Sequence, residues 1–266
     1  MSTLKLRAAP PERIDLRAVT PLALSALSEA EAARLPVGTS RTGVTLGDLF
    51  AITLDRSDTL VIEGGSERLD RVGAALSEGT IRVEGDVGQR LGEGMAGGTL
   101  TVTGAAGPYA GTGATGGTIT IEGDAGAHAG GAVYAAKAGL DGATLIVKGK
   151  AGDHLGDRMR RGLILVGEAG AFAASRMIAG TIVAGALGDH PGYGMRRGTI
   201  VAGRHGALLP TFAETGLLDQ LVYPKLLARQ LARIGAPQAG LLQGGLRRYS
   251  GDLATLGKGE LFTPAG

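Results

Sequence analysis

The sequence predicts an all-β protein: a right-handed parallel β-helix of about seven or eight coils of 18–20 residues, with short α-helical caps at both ends. Three observations carry this. A short aliphatic strand recurs at near-constant spacing, a Gly-x-x-Gly follows each recurrence, and glycine makes up 48 of 266 residues while aromatics are only 3%. A chain that turns many times needs residues without a Cβ and has little use for bulky rings.

Gly79-Thr80-Ile81-Arg82-Val83-Glu84-Gly85 is the first clear strand, followed by Gly98-Thr99-Leu100-Thr101-Val102-Thr103-Gly104 and Gly117-Thr118-Ile119-Thr120-Ile121-Glu122-Gly123. Thr144 to Gly149, Gly162 to Gly167, Gly180 to Gly185 and Gly198 to Gly203 continue the series, and Thr59 to Gly64 extends it backwards. Their first inward aliphatics are Ile81, Leu100, Ile119, Leu145, Ile164, Ile182 and Ile200, at spacings of 19, 19, 26, 19, 18 and 18 residues. In the first unit Ile81 and Val83 share one face, while Thr80, Arg82 and Glu84 share the other. That alternation marks a half-buried strand.

The Gly-x-x-Gly occurs seven times in phase, from Gly85 and Gly88 to Gly203 and Gly206. Both glycines are expected to take positive φ and bend the chain at a corner. Stacking at about 4.8 Å sets equivalent residues above one another. One column then holds Arg90, Tyr109, His128, His154, Phe172, His190 and Leu208, and another holds Met95, Met159, Met177 and Met195. Both are expected to fill the interior and its corners. The crossover preference of parallel strands sets the right hand. The left-handed hexapeptide helix repeats its aliphatic signature on every side of a coil, whereas here the Ile-x-Val strand appears once.

The ends break the pattern, which divides the chain into a cap segment at 1–57, the repeats at 58–206 and a helical or extended docking segment at 207–266. Leu4-Lys5-Leu6 reads as a strand, and Ser28-Glu29-Ala30-Glu31 as a capping box opening a helix through Arg34. Leu217 to Val222 and Leu226 to Arg233 read as amphipathic helices around Pro224, placed to cap the far end or dock on a partner.

With no cysteine, disulfides, thiolate metal sites and cysteine nucleophiles are excluded. The start of the chain lacks the apolar core of a signal peptide, and no apolar run reaches a membrane-spanning length, so a soluble cytoplasmic protein with no membrane contact is expected. A net charge of +2 does not point to nucleic acid.

The succession Gly-Thr-Ile-x-Val-x-Gly, Gly-x-x-Gly and Met-Arg-Arg-Gly, as in Gly149 to Gly162 and Gly185 to Gly198, resembles the C subunit of formylmethanofuran dehydrogenase. The resemblance runs from Leu46-Gly47-Asp48-Leu49-Phe50 to Gly251-Asp252-Leu253, and seven extra residues between Gly130 and Asp141 fall where that family carries an insertion. It implies a right-handed β-helix, shared with the C-terminal domain of the glutamate synthase large subunit. It also implies a non-catalytic, structural role in one-carbon metabolism.

The nearer likeness is to the bacterial version, the formyltransferase/hydrolase complex of methylotrophs. There a formyl group passes from tetrahydromethanopterin to a methanofuran analogue and is hydrolysed to formate. The implied partners are an amidohydrolase-like catalytic subunit that holds the metal, a formyltransferase subunit and a further subunit. The archaeal dehydrogenase, with a molybdenum or tungsten pterin subunit, is the alternative, and an independent β-helix enzyme is a third reading. Later strands one residue short and Ala174 in place of a corner glycine depart from the pattern without threatening the fold.

Candidate chemistry is sparse, and no catalytic or metal-ligating residue is assigned. His128, His154 and His190 share a column with Tyr109 and Phe172 and no carboxylate, which favours ring stacking over a metal site. Asp86, Asp124 and Glu168 follow corner glycines and read as turn residues rather than an acid–base pair. The glycine runs lack the Lys-Ser/Thr of a phosphate loop, and neither Ser77 nor Ser175 sits in a nucleophile elbow. Arg158, Arg160, Arg161, Arg176, Arg196 and Arg197 should merge into a basic stripe at one corner. It is either a solvated corner or a contact for an acidic partner surface or the polyglutamate tail such cofactors carry, since arginine forks suit carboxylates.

Overall fold

The computed structural model describes residues 1–41, 43–218 and 222–265. In chain order they form β1 (Ser2–Leu6), β2 (Ile14–Asp15), α1 (Pro21–Ser25), α2 (Glu29–Ala33), α3 (Leu46–Leu49), β3 (Phe50–Thr53), β4 (Thr59–Glu63) and β5 (Leu69–Asp70). The series β6 (Thr80–Glu84), β7 (Thr99–Val102), β8 (Thr118–Ile121), β9 (Asp141–Ala151), β10 (Arg161–Ala169), β11 (Thr181–Leu187) and β12 (Arg197–His205) follows. The chain closes with β13 (Ala213–Leu218), α4 (Val222–Arg233), a 3-10 turn (Pro237–Leu242), β14 (Leu246–Gly251) and β15 (Lys258–Pro264).

The protein is mostly β, built on one mixed sheet of 13 strands in the order β13-β14-β15-β12-β11-β10-β9-β8-β7-β6-β4-β1-β3. From β4 to β12 the neighbours are parallel and follow the chain. Leu60, Ile81, Leu100, Ile119, Leu145, Ile164, Ile182 and Ile200 pair in one unbroken register, and Leu261 of β15 completes the row. Each of these side chains is fully buried in one core with the four methionines of the predicted column. The predicted anchors and the methionine column therefore lie where the spacing put them, whereas the rings from Tyr109 to His190 are half-buried outside this core.

Between strands, the returning segments are also bonded from unit to unit. Val87, Ala106, Ala125 and Ala151 bridge in parallel across the Gly-x-x-Gly segments. On the other side, the amides of Arg90, Tyr109 and His128 donate to carbonyls of the following unit, and those of Gly92, Gly111 and Gly130 to carbonyls of the preceding one.

The glycines of Gly-x-x-Gly correct the expectation of positive φ. Of that set only Gly85 adopts it. The reason for the others is close approach: a Cβ on Gly104 would stand 2.6 Å from the carbonyl carbon of Gly85, and one on Gly107 2.8 Å from that of Gly88. The left-handed residues lie instead on the returning side, at every second position, and include Arg90, Tyr109, His128, His154, Phe172 and His190.

The ends also differ from helical caps. α2 begins at Ser28 with the predicted capping box, and α1 to α3 pack into the core. The sheet itself, however, is continued by strands: β1 lies parallel to β4 and antiparallel to β3, while β15, β14 and β13 extend the far end. Leu217 and Leu218 belong to β13 rather than a helix, and residues 219–221 of that expected helix lie outside the described residues.

The second expected helix forms as α4, but on the outer face of the sheet. There Leu227 and Leu231 pack with Leu163, Leu165, Val183, Val201 and Phe262. That docking explains a change along the series: the outward residue aligned with Arg82, Thr101 and Thr120 becomes Ile146, Leu165, Val183 and Val201 in β9 to β12. Strands buried on both faces read as continuous apolar runs.

Gly117→Ala is expected to destabilise the chain by about 1–3 kcal/mol in urea unfolding. Its Cβ would meet Met95 Cε at 2.6 Å and the Gly98 carbonyl oxygen at 2.7 Å, at a φ of +79°. Leu231→Asp buries a charge under α4, so amide exchange is expected to quicken over Val222–Arg233 while β9 to β12 stay protected.

Candidate functional site

The arginine corner is built around a strained backbone position. Arg158 and Arg176 have φ of 54° and 52°, where Gly94, Gly113 and Gly194 stand in other units. A left-handed conformation costs a residue with a Cβ about 1–2 kcal/mol. Here the Arg158 amide donates to Ser175 O at 2.9 Å and the Arg176 amide to Tyr193 O at 2.6 Å, so the stack holds the geometry.

Both guanidinium groups turn to Asp157, which is 0% exposed. Arg176 reaches it in a fork, Nε to Oδ1 at 2.9 Å and Nη2 to Oδ2 at 2.6 Å, and Arg158 Nε lies 3.3 Å from Oδ2. The Ser175 hydroxyl donates to Oδ1 at 2.8 Å, and His154 Nδ1 lies 3.3 Å from that hydroxyl. Burial alone would push the Asp157 carboxyl up. The hydrogen bonds from Arg176 and Ser175, with the charge of Arg176, outweigh it and hold the group below the usual carboxylate range.

Beside this cluster opens a hollow of about 520 Å³ lined by Arg158, Arg176 and Arg196. Lys137 enters from the segment between Gly130 and Asp141 that carries the insertion, Tyr193 from the next unit, and Asp252, Ala254 and Thr255 from the turn after β14. The Asp252 carboxylate is engaged by the Gly194 and Ala254 amides, both at 2.9 Å. Four cations thus line the hollow with one carboxylate, Asp252, while the buried Asp157 holds two of the arginines. Arg196 is exposed, with no carboxylate within ion-pair distance among the described residues.

The six predicted arginines therefore divide. Arg158, Arg176 and Arg196 gather at the hollow. Arg160 and Arg161 pair with Asp141 at 3.5 and 3.2 Å instead. Arg197 stands exposed at the start of β12. Lys137, Tyr193 and Asp252 were not reached from the sequence as site residues, because the insertion and the C-terminal turn meet the corner only in three dimensions. Gly251-Asp252-Leu253 was the available signal.

The ring column stacks in order. Tyr109 and His128 lie 4.9 Å apart, His128 and His154 4.8 Å, and His154 and Phe172 5.3 Å, with planes within 12°. Burial, followed by the charge of His154, pushes the His128 imidazole below its usual pKa. Among the described residues no cluster of three or more His, Asp or Glu is placed to hold a metal. Asp86 and Asp124 accept the amides of Ala105 and Lys150 in the next unit, and Glu168 pairs with Lys150 and Arg204. These are structural uses of the carboxylates. No helix among the described residues is long and apolar enough to cross a membrane.

No family model matches the chain. Over all 266 residues, and the full length of both proteins, it is 80% identical to the C subunit of the formyltransferase/hydrolase complex (Fhc) of Methylorubrum extorquens. The chain belongs to the Fhc C-subunit family. The crystal structure of the FhcABCD complex from that organism, in complex with methylofuran, matches it with a TM-score of 0.98 at 78% identity, covering 99% of this chain and 100% of that one.

Asp157 stabilises this corner at neutral pH. Its folded pKa lies below the unfolded value of about 3.9, so the contribution is lost as pH falls through the folded pKa. Asp157→Asn is expected to cost about 1–3 kcal/mol at pH 7, with the gap from wild type narrowing below about pH 4. Urea midpoints at neutral and acid pH check this.

Proposed function

We propose that this chain is a non-catalytic structural subunit of a formyltransferase/hydrolase complex, and that its stacked units wind as a right-handed parallel β-helix. The observation that carries the reading is the full-length identity of 80% to the C subunit of such a complex. The complex transfers a formyl group from tetrahydromethanopterin to a methanofuran-type cofactor and hydrolyses it to formate. The crystal structure of the relative's complex in the presence of methylofuran supports the cofactor class.

The chemistry is carried by an amidohydrolase-like subunit with its metal and by a formyltransferase subunit, beside a further subunit, in the cytoplasm. This chain's part is mechanical. A stack whose neighbours are bonded on every side keeps its faces in fixed relation, which suits the holding of catalytic partners in register. Residues 58–206 form that stack, 1–57 close one end, and 207–266 supply strands and an outer helix.

The arginine corner is a chemically distinctive surface. Arg158, Arg176 and Arg196, with Lys137, present a surplus of positive charge, and guanidinium forks pair well with carboxylates. The carboxylates are those of an acidic partner surface or of the cofactor's tail. Arg160, Arg161 and Arg197 flank it and add to the local field.

Purification of the tagged chain from its native host is expected to recover an amidohydrolase-like and a formyltransferase-like chain at fixed ratio. Metal analysis of that assembly separates a zinc-type hydrolase from a molybdenum or tungsten dehydrogenase. A monomer eluting alone would sink the proposal.

A further inference from the structure

The insertion between Gly130 and Asp141 interrupts the repeat, yet it is a fastened structure. The Ala132 amide donates to Asp157 O and the Gly139 amide to Arg158 O, both at 3.0 Å. The Arg158 side chain donates through Nη1 to Ala136 O at 2.8 Å. Arg158 thus ties the insertion to the same buried carboxylate that organises the arginine hollow. On this anchored loop Tyr134 is 97% exposed, three residues before Lys137 of the hollow wall.

The opposite rim has the same character. Tyr193 lines the hollow and is 50% exposed, and Leu253 and Leu256, in the turn that carries Asp252 and Thr255, are 55% and 54% exposed. Large exposed apolar residues around a charged centre are what a protein interface presents: rings and leucines to lose water, arginines at the middle to fix register. A free small anion would account for the arginines and leave Tyr134 and the leucines in water. A protein surface accounts for both.

We infer that the insertion and the arginine hollow form one docking surface for a neighbouring subunit of the same complex. That subunit seats an Asp or Glu side chain between Arg176 and Arg196 and closes an apolar socket over Tyr134. The inference rests on the reading of this chain as a member of a complex. Anchoring of the loop before binding lowers the ordering cost of the contact.

The test uses the intact complex purified through a tag on this chain, with Tyr134→Ala, Arg196→Glu, and a photo-reactive phenylalanine in place of Tyr134. Both replaced side chains are exposed and make no ion pair among the described residues, so thermal melts of the variant chains should match wild type. Each substitution is expected to lower retention of one neighbouring subunit by about tenfold or more, and irradiation should cross-link position 134 to that neighbour. Full retention in both variants, or irradiation that links position 134 to no other chain, overturns the docking surface. Loss of bound cofactor with every subunit retained also overturns it, by assigning the hollow to the cofactor's carboxylates. A wild-type chain that brings down no other subunit removes the parent reading, and this inference with it.

Discussion

Backbone hydrogen bonds from each unit to the units on either side are the constraint on which the rest of this molecule depends. Each such bond is worth only about 1 kcal/mol net, but they recur on the strand side, the Gly-x-x-Gly side and the returning side of the stack. Because the bonds lock register, a residue cannot move along its unit without breaking its neighbours' pairing. Equivalent positions therefore become columns, and each column must hold side chains that tolerate one another at strand spacing. The aliphatic row from Leu60 to Leu261 and the buried methionines are the apolar outcome.

The same constraint makes strain tolerable. Left-handed backbone at Arg90, Tyr109, His128, His154, Phe172 and His190 would be unfavourable in isolation. In the stack their amides are satisfied by the next unit, and the rings that follow gain contact with one another. Corner carboxylates work similarly: Asp153 and Asp189 accept the amides of Ala171 and Ala207 one unit on, as Asp86 and Asp124 do earlier. Arg158 and Arg176 use the tolerance differently, placing long cationic side chains where other units keep glycine and securing them on Asp157. Two of the arginines that line the hollow are thus held by the stack itself.

A second consequence concerns the outer face. In β6 to β8 the outward side chains are polar or charged, whereas β9 to β12 present Ile146, Leu165, Val183 and Val201 beneath α4 and the 3-10 turn. One sheet therefore faces solvent at one end and a second apolar core at the other. The C-terminal segment contributes to both: its strands extend the sheet past β12, and its turn around Asp252 walls the arginine hollow. Helix α4 and the Asp252–Thr255 wall of the hollow both come from that C-terminal segment.

By itself the sequence determined the units, their spacing, the row from Ile81 to Ile200, the methionine and ring columns and the capping box at Ser28. All of these follow from local periodicity or from short-range hydrogen bonding, and such signals survive in one dimension. It also put Arg158 and Arg176 at equivalent positions, since units in phase superpose, although the full set of six divides between the hollow, Asp141 and the start of β12. Only the tertiary structure decided the roles of the paired glycines, which answer to a neighbouring backbone rather than to their own φ. It likewise decided that Leu217 and Leu218 pair in a strand, that α4 lies on the outer face, and that Lys137, Tyr193 and Asp252 meet Arg158, Arg176 and Arg196. Those outcomes depend on contacts between segments far apart in the chain, and the apolar runs of Leu163 to Val166, Ile182 to Ala184 and Ile200 to Ala202 were the local signs that the later strands are covered on both faces.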